Sequence, residues 1–373
     1  MRRVAGVVGG LAIVSAFGGF TLASPAEAGV SNAVYRWGGY RGGAGAHTNQ
    51  QSRPTPVPGL SNVSALAAGN LANYALETNG EVFAWGNGRG GELGNGTHPF
   101  LQTTPVQVSF PAGTVVTAIA EGNARGYAID STGRGWTWGA AGALCRSGST
   151  SVPKVVPGLP SNVVSVAGAS GHVLWLTSTG DVFTCDRFHR APTKVATPGP
   201  VAAVSAGNDV LTLLLQNGQV WDWGSNVFGQ LGNGTFSSSA VPVQVQLPVG
   251  TFATQIYAGG DDAVDGHQVA VLNTGVLVAW GAGKAGQLGN GHRMNEPVPV
   301  TVALPAGVAV KEAVAGGSTS YVVDTNGNVW AWGNNNYGEL GVGGRKGSLT
   351  PVVVDTGVSL LMSTAANVAD YHG

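Results

Sequence analysis

Val82-Phe83-Ala84-Trp85-Gly86, followed by Gly91-Glu92-Leu93-Gly94-Asn95-Gly96, decides the fold of this chain. Before it, Val63-Ser64-Ala65-Leu66-Ala67 alternates in polarity and reads as a strand. Tyr74-Ala75-Leu76 is the centre of a second strand, and Val82 to Trp85 is a third. Thr78-Asn79-Gly80 between them is a hairpin turn, because Asn-Gly readily supplies the positive φ that a tight turn needs. After it, Pro105-Val106-Gln107-Val108 is a fourth, outer strand. A proline at its start suits an edge, where a missing N–H costs no hydrogen bond.

This unit recurs along the chain. Trp-Gly pairs stand at Trp37-Gly38, Trp85-Gly86, Trp138-Gly139, Trp223-Gly224, Trp280-Gly281 and Trp332-Gly333. Another copy has changed to Cys185-Asp186 and is found from the preceding Gly180-Asp181-Val182-Phe183-Thr184. The steps between copies are 48, 53, 47, 38, 57 and 52 residues, a range that means a solenoid, a propeller or an array. The Gly-x-Leu-Gly element returns at Gly229-Gln230-Leu231-Gly232, Gly286-Gln287-Leu288-Gly289 and Gly338-Glu339-Leu340-Gly341, and as Gly142-Ala143-Leu144-Cys145.

Four short antiparallel strands per repeat, seven times over, predict an all-β fold, a seven-bladed β-propeller. Its ring is expected to be closed by the N- and C-terminal segments. Val34-Tyr35-Arg36-Trp37 is a third-type strand with none before it, and Val352 to Tyr371 offers outer and first strands with no Trp-Gly after them. One part of this is poor, since Ala366 to Gly373 matches a second strand weakly.

Residues 1–28 read as a secretory signal: Arg2 and Arg3, then an apolar stretch from Val4 to Leu22, then the small-x-small Ala26-Glu27-Ala28. Cleavage near Ala28 would leave residues 29–373 as one propeller domain, secreted to the medium or the cell envelope, with no membrane span in the mature chain. A monomer is expected. The 61 glycines follow no G-X-Y period, which excludes collagen. A net charge of −1 gives no reason to expect a nucleic-acid partner. The only two cysteines, Cys145 and Cys185, sit in neighbouring repeats. An even count in an exported chain favours a disulfide, and two separate buried thiols are the alternative.

These motifs resemble the regulator of chromosome condensation repeat family, whose blade ends Val-x-Ala-Trp-Gly and continues through a Gly-rich loop to Gly-Gln-Leu-Gly-x-Gly. The resemblance covers about residues 33–371. It implies a seven-bladed propeller. Among secreted bacterial members are inhibitors of β-lactamase, a functional type that this chain resembles. Nuclear members exchange nucleotide on a small GTPase, an activity that an exported chain would not meet. The repeat around Cys185-Asp186 departs from the pattern and has no Gly-x-Leu-Gly.

Strand alternation sends the loops after strands one and three to the same face and the Asn-Gly turns to the other. The loops after strand three carry Tyr40, Arg41, Asn87, Arg89, Arg187, Phe188, His189, Asn226, Phe228, Lys284, Asn335 and Tyr337. Those after strand one carry Asn70, Asn123, Arg125, His172, Asp209, Asp261, Asp262 and Ser318. These positions vary while the frame repeats, and aromatics and Arg on a rigid rim are what binding hot spots prefer. The competing reading is that some of the aromatics pack between blades. The residues expected to meet a partner are Tyr40, Arg41, Arg89, Arg125, His172, Arg187, Phe188, His189, Asn226, Phe228, Asp261, Asp262, Lys284, Asn335 and Tyr337.

No catalytic residue, cofactor or metal site is expected. Gly281-Ala282-Gly283-Lys284-Ala285-Gly286 matches a phosphate-loop pattern, but Gln287-Leu288-Gly289-Asn290-Gly291 cannot open the helix that such a loop requires. Asp261, Asp262 and Asp265 miss the calcium-loop spacing. The expected function is non-catalytic binding of an extracellular protein through one face, with a secreted or periplasmic enzyme as one candidate. A lectin-like protein that binds glycan or cell wall is the alternative. A hydrolase with a site in the central channel is a third reading, and it would require carboxylates there.

Overall fold

A computed structural model of the chain describes residues 34–38, 41–42, 46–47, 51–69, 71–207, 210–260, 266–354 and 365–366. The expected signal sequence lies outside these residues.

The described residues form six four-stranded antiparallel meanders. Blade one is Val63–Ala68, Ala72–Glu77, Val82–Gly86 and Gln102–Gln107. Blade two is Val116–Glu121, Arg125–Asp130, Gly135–Gly139 and Thr150–Val155. Blade three is Val163–Gly168, His172–Thr177, Val182–Asp186 and a two-residue outer strand, Thr193–Lys194. Blade four is Val201–Ala206, Val210–Leu215, Val220–Gly224 and Ser239–Gln244. Blade five is Ala253–Ala258, His267–Leu272, Leu277–Gly281 and Glu296–Thr301. Blade six is Val310–Ala315, Thr319–Asp324, Val329–Gly333 and Ser348–Val353.

The expectation of seven blades is therefore corrected to six. The sheet that was to be the seventh has only three strands. In it Val34–Gly38 pairs antiparallel with Gln51–Val57 and parallel with Ala365–Ala366. A meander reverses direction at every step, and Ala365–Ala366 runs with its neighbour, so it does not supply the expected antiparallel second strand. Two alanines also lack the β-branched or aromatic bulk that favours a strand. This sheet packs on blade six, where the Trp37 ring stands edge-on to Tyr321 at 6.5 Å. Val34 and Val57 pack with Val63 and Trp85 of blade one.

The outer strands are also corrected. That of blade one starts at Gln102 rather than at Pro105, and its register shifts between Ala84 and Gly86. Pro105 thus falls inside the strand at a bulge, where no ladder N–H is needed.

One contact joins blade to blade and explains why Trp-Gly and Gly-x-Leu-Gly travel together. The Trp138 Nε1–H of blade two donates to the Glu92 carbonyl of blade one at 2.8 Å. Trp280 donates to the Gln230 carbonyl at 3.0 Å, Trp332 to that of Gln287 at 2.8 Å, and Trp37 to that of Glu339 at 2.8 Å. Each acceptor is the variable residue of a Gly-x-Leu-Gly. The last glycine of that element, Gly94, Gly232, Gly289 or Gly341, has φ between +58° and +69° and lies flat against the same indole, so a Cβ there would meet the ring. The indoles of Trp138, Trp280 and Trp332 are fully buried.

Between blades two and three the junction is built differently. Cys145 occupies the last glycine's place at φ +57°, and Cys185 occupies the tryptophan's. They form a disulfide with Cα atoms 5.3 Å apart. Trp175, from the second strand of blade three, supplies the missing ring, edge-on to Tyr127 at 6.0 Å. Its buried N–H has no hydrogen-bond partner among the described residues. The covalent bond thus stands where four other junctions have an indole–carbonyl hydrogen bond.

Candidate functional site

The two faces differ in what their side chains do. On the turn face the polar groups hold the hairpins. Asp130 accepts from the backbone N–H of Thr132 and Arg134 and from the Trp136 indole. Asp324 accepts in the same way from Asn326, Asn328 and Trp330. Asn79 and Asn217 accept from the N–H two residues on. One cavity of about 370 Å³ opens on this face between blades two and three, lined by Thr117, Asp130, Ser161, Asn162 and their neighbours.

On the opposite face the loops after strand three span residues 87–101, 140–149, 187–192, 225–238, 282–295 and 334–347. Their bases are rigid for a chemical reason. The Glu or Gln of Gly-x-Leu-Gly turns its side chain back onto a loop N–H: Gly90 to Glu92 at 2.7 Å, Phe228 to Gln230 at 2.7 Å, Ala285 to Gln287 at 2.9 Å and Tyr337 to Glu339 at 2.9 Å. With the bases fixed, the tips stand out on a firm support.

The residues singled out in the sequence divide into two groups. Arg89, Arg187, Phe188, His189 and Lys284 are exposed on this face, and Phe228 and Tyr337 are half-buried there. Arg89 stacks on Phe100 at 4.2 Å and Arg187 on Phe188 at 4.8 Å. His172 is half-buried at the start of its strand.

The second group has frame roles. Asn226 and Asn335 are buried inside their loops. Asn226 donates to the carbonyls of Thr235 and Ser237 and accepts from Leu231 N–H. Asn335 donates to Gly344 and Lys346 and accepts from Leu340 N–H. Arg125 directs its guanidinium at the carbonyls of Asn123, Ala140, Ala141 and Ser170, which ties loops of blades two and three together. These three side chains are engaged within the protein. Tyr40, Asp261 and Asp262 lie outside the described residues, and Arg41 is described only as backbone of the short strand Arg41–Gly42.

Among the exposed apolar side chains on this face, Phe100, Phe236 and Met294 escape the sequence reading. Each sits in the second half of a long loop, after Gly-Asn-Gly, where the repeat has already lost its pattern. Exposed cations stand in the same loops: Arg89, Arg187, Arg190, Lys284, Arg293, Arg345 and Lys346. The only carboxylates within these loops, Glu92 and Glu339, are buried at their bases.

Buried acids set the pH response. Burial, partly offset by the Asn123 N–H and the Arg125 charge, raises Glu121 to about 8, and burial raises Glu312 to about 7. Burial also raises Asp222, Glu92 and Glu339. Against partial burial, hydrogen bonds from Thr132, Trp136 and Arg134 hold Asp130 at about 2. A raised carboxyl keeps in the folded state a proton that the unfolded chain has released, so stability falls as pH rises from about 4.5 toward 8. A depressed one contributes stability that is lost as pH falls from about 3.8 toward 2. Stability is expected to peak near pH 4 to 5, and Glu121→Gln should flatten the decline between about pH 5 and 8. Melting curves of both proteins across that range check this, and parallel profiles would count against it.

Among the described residues, no group of three His, Cys, Asp or Glu could hold a metal ion, and no helix is long and apolar enough to cross a membrane.

The profile of the Regulator of chromosome condensation (RCC1) repeat matches residues 79–126, 217–263, 274–323 and 326–372, and a second profile of that repeat matches residues 310–339. The chain is 29% identical over 299 residues to the RCC1 domain-containing protein RUG3, mitochondrial, of Arabidopsis thaliana, covering 74% of this chain and 66% of that protein, just under two thirds of it. It is 26% identical over 334 residues to the Ultraviolet-B receptor UVR8 of the same plant, covering 83% of this chain and 74% of the receptor. Among solved structures, Prp20p from Saccharomyces cerevisiae superimposes with a TM-score of 0.76 at 20% identity, covering 92% of this chain and 88% of that one. That likeness shows the fold.

Proposed function

We propose, from the premise that the chain belongs to the regulator of chromosome condensation (RCC1) repeat family, that it is an exported, non-catalytic propeller that binds another protein through its long-loop face. The observation that carries this reading is the division of labour between the faces. Turn-face polar groups hold hairpins and that face exposes one aromatic ring, Phe252, with scattered valines, whereas the long loops hold their bases rigid and leave Phe100, Phe188, Phe236, Met294 and several cations in solvent. Exposed apolar and aromatic groups ringed by charge fit a protein surface better than a sugar. Prp20p, a relative in fold, has binding properties toward Gsp1p and histones, so a propeller of this kind can serve as a protein-binding platform. The export signal read in residues 1–28 directs the proposal to an extracellular partner, and enzyme inhibition is one form such binding would take.

The immobilised chain should retain a protein from the culture medium of the source organism. Phe188→Ala combined with Phe236→Ala and Met294→Ala should weaken retention by about 2 kcal/mol or more. Asn79→Ala with Asn217→Ala should leave it nearly unchanged while lowering stability slightly. Loss of binding in the folded turn variants, with the rim variants unaffected, would place the partner on the wrong face for this reading.

A further inference from the structure

The long-loop rim is interrupted at blade three. Its loop is residues 187–192, against 225–238 in blade four and 282–295 in blade five, because the Gly-x-Leu-Gly element is missing. The outer strand behind it is reduced to Thr193–Lys194. The short loop lies between the longer loops of its ring neighbours, residues 140–149 in blade two and 225–238 in blade four, and this difference in length makes it the floor of a notch in the rim.

That floor is held in shape from beneath. Cys185, one residue before the loop's root, is bonded to Cys145 of blade two. Asp186 accepts the N–H of Phe188 at 2.6 Å and of His189 at 2.5 Å, and its other oxygen is 2.9 Å from the His189 ring. With its carboxylate so engaged, Asp186 offers little to a partner. What the floor presents outward is Phe188, 75% exposed, with Arg187 stacked on it, and Arg190 beside them. The chain as a whole carries a net charge of −1, yet the exposed charges in the loops after strand three are all cationic.

The geometry points to the blade-three notch as the anchor of the binding face, one that receives a projecting acidic segment of the partner protein. An aliphatic or aromatic side chain of that segment would pack on Phe188, and its carboxylates would pair with Arg187 and Arg190. Arginine suits this role because its planar guanidinium grips a carboxylate with two parallel N–H donors. The cations would also draw an acidic partner in and repel a basic one. Because the disulfide and Asp186 already fix the loop, little ordering entropy is lost on binding. This inference rests on the long-loop face being the binding face.

The test uses the full disulfide-intact chain and a displayed library of random 12-residue peptides as probe. Peptides selected on it should be enriched in Asp and Glu around an apolar residue. Arg187→Glu with Arg190→Glu should weaken their binding at least about tenfold, Phe188→Ala should weaken it comparably, and Arg187→Lys with Arg190→Lys should weaken it far less. These positions are exposed, so melting temperatures should not move, and that control separates lost contact from lost fold. Selected peptides without acidic enrichment, or no selected binders at all, overturn the inference. Acidic peptides that depend on Phe236 and Met294 but not on Arg187 and Arg190 overturn the anchor and leave the long-loop face standing. Peptides that depend only on Phe252, on the turn face, overturn both.

Discussion

Trp280→Ala is expected to destabilise the protein by about 3 to 5 kcal/mol, measured by chemical denaturation. The indole is fully buried in a cluster with Val245, Ile256 and Ala270. Its removal leaves a cavity between blades four and five, and it leaves the Gln230 carbonyl without its 3.0 Å donor. It also withdraws a donor, at 3.3 Å, from the buried Asp222 carboxyl. Trp280→Phe separates these effects. It restores most of the ring volume and not the N–H, so it should recover part of the loss and retain a deficit of about 1 to 3 kcal/mol from the buried unpaired acceptor. If Trp280→Phe is as stable as the native protein, the indole N–H contributes nothing to the junction, and the link between Trp-Gly and Gly-x-Leu-Gly is packing alone. An exposed turn-face substitution such as Asn217→Ala should cost far less than either.

Removing the disulfide by Cys145→Ser with Cys185→Ser should cost about 2 to 5 kcal/mol. Two effects act together. The unfolded chain regains the freedom of the loop between the cysteines, worth about 4 kcal/mol in the chain-entropy model. The junction between blades two and three also loses its only counterpart of the indole–carbonyl bond, because the Trp175 N–H has no acceptor there. Serine hydroxyls buried in that space would need partners of their own. Titration of the unreduced, denatured protein should find no free thiol. Reduction should lower the denaturation midpoint of the native protein and leave the double variant's unchanged. Two free thiols in the unreduced protein would remove the basis of this prediction.

The blades are legible in the sequence because each must build the same sheet and bury the same ring, so Trp-Gly, the hairpin turns and Gly-x-Leu-Gly recur as a set. The cysteine pair is legible for the same reason. Each replaces a residue whose usual counterpart meets the other's across a junction. The number of blades is not legible, because in the terminal sheet only Val34–Gly38, with Trp37-Gly38, copies the pattern, and the direction in which Ala365–Ala366 pairs leaves no mark in two alanines. The face is legible from strand alternation, and its individual residues only in part. Asn226 and Asn335 look like polar contacts for a partner, yet they occupy the same place in two repeats and hold their loops from inside. Recurrence at one position was the available sign of a frame role. Arg125 carries no such sign, since its engagement with five carbonyls, that of Gly122 included, depends on loops that only the fold brings together. Phe100, Phe236 and Met294 escape the sequence reading because they stand past Gly-Asn-Gly, where residue type no longer repeats from blade to blade, so aligning one repeat on another does not single them out.

The central claim, that the long-loop face meets a protein partner, is tested most directly by a photo-crosslinking residue placed singly at Phe188, Phe236, Asn217 or Phe252. Each variant, folded and disulfide-bonded, is irradiated in the culture medium of the source organism. The crosslinked peptides are then identified by mass spectrometry. Adducts to one protein from positions 188 and 236, with none from positions 217 and 252, are the predicted result. Adducts to one protein from positions 217 and 252, with none from 188 and 236, would contradict it.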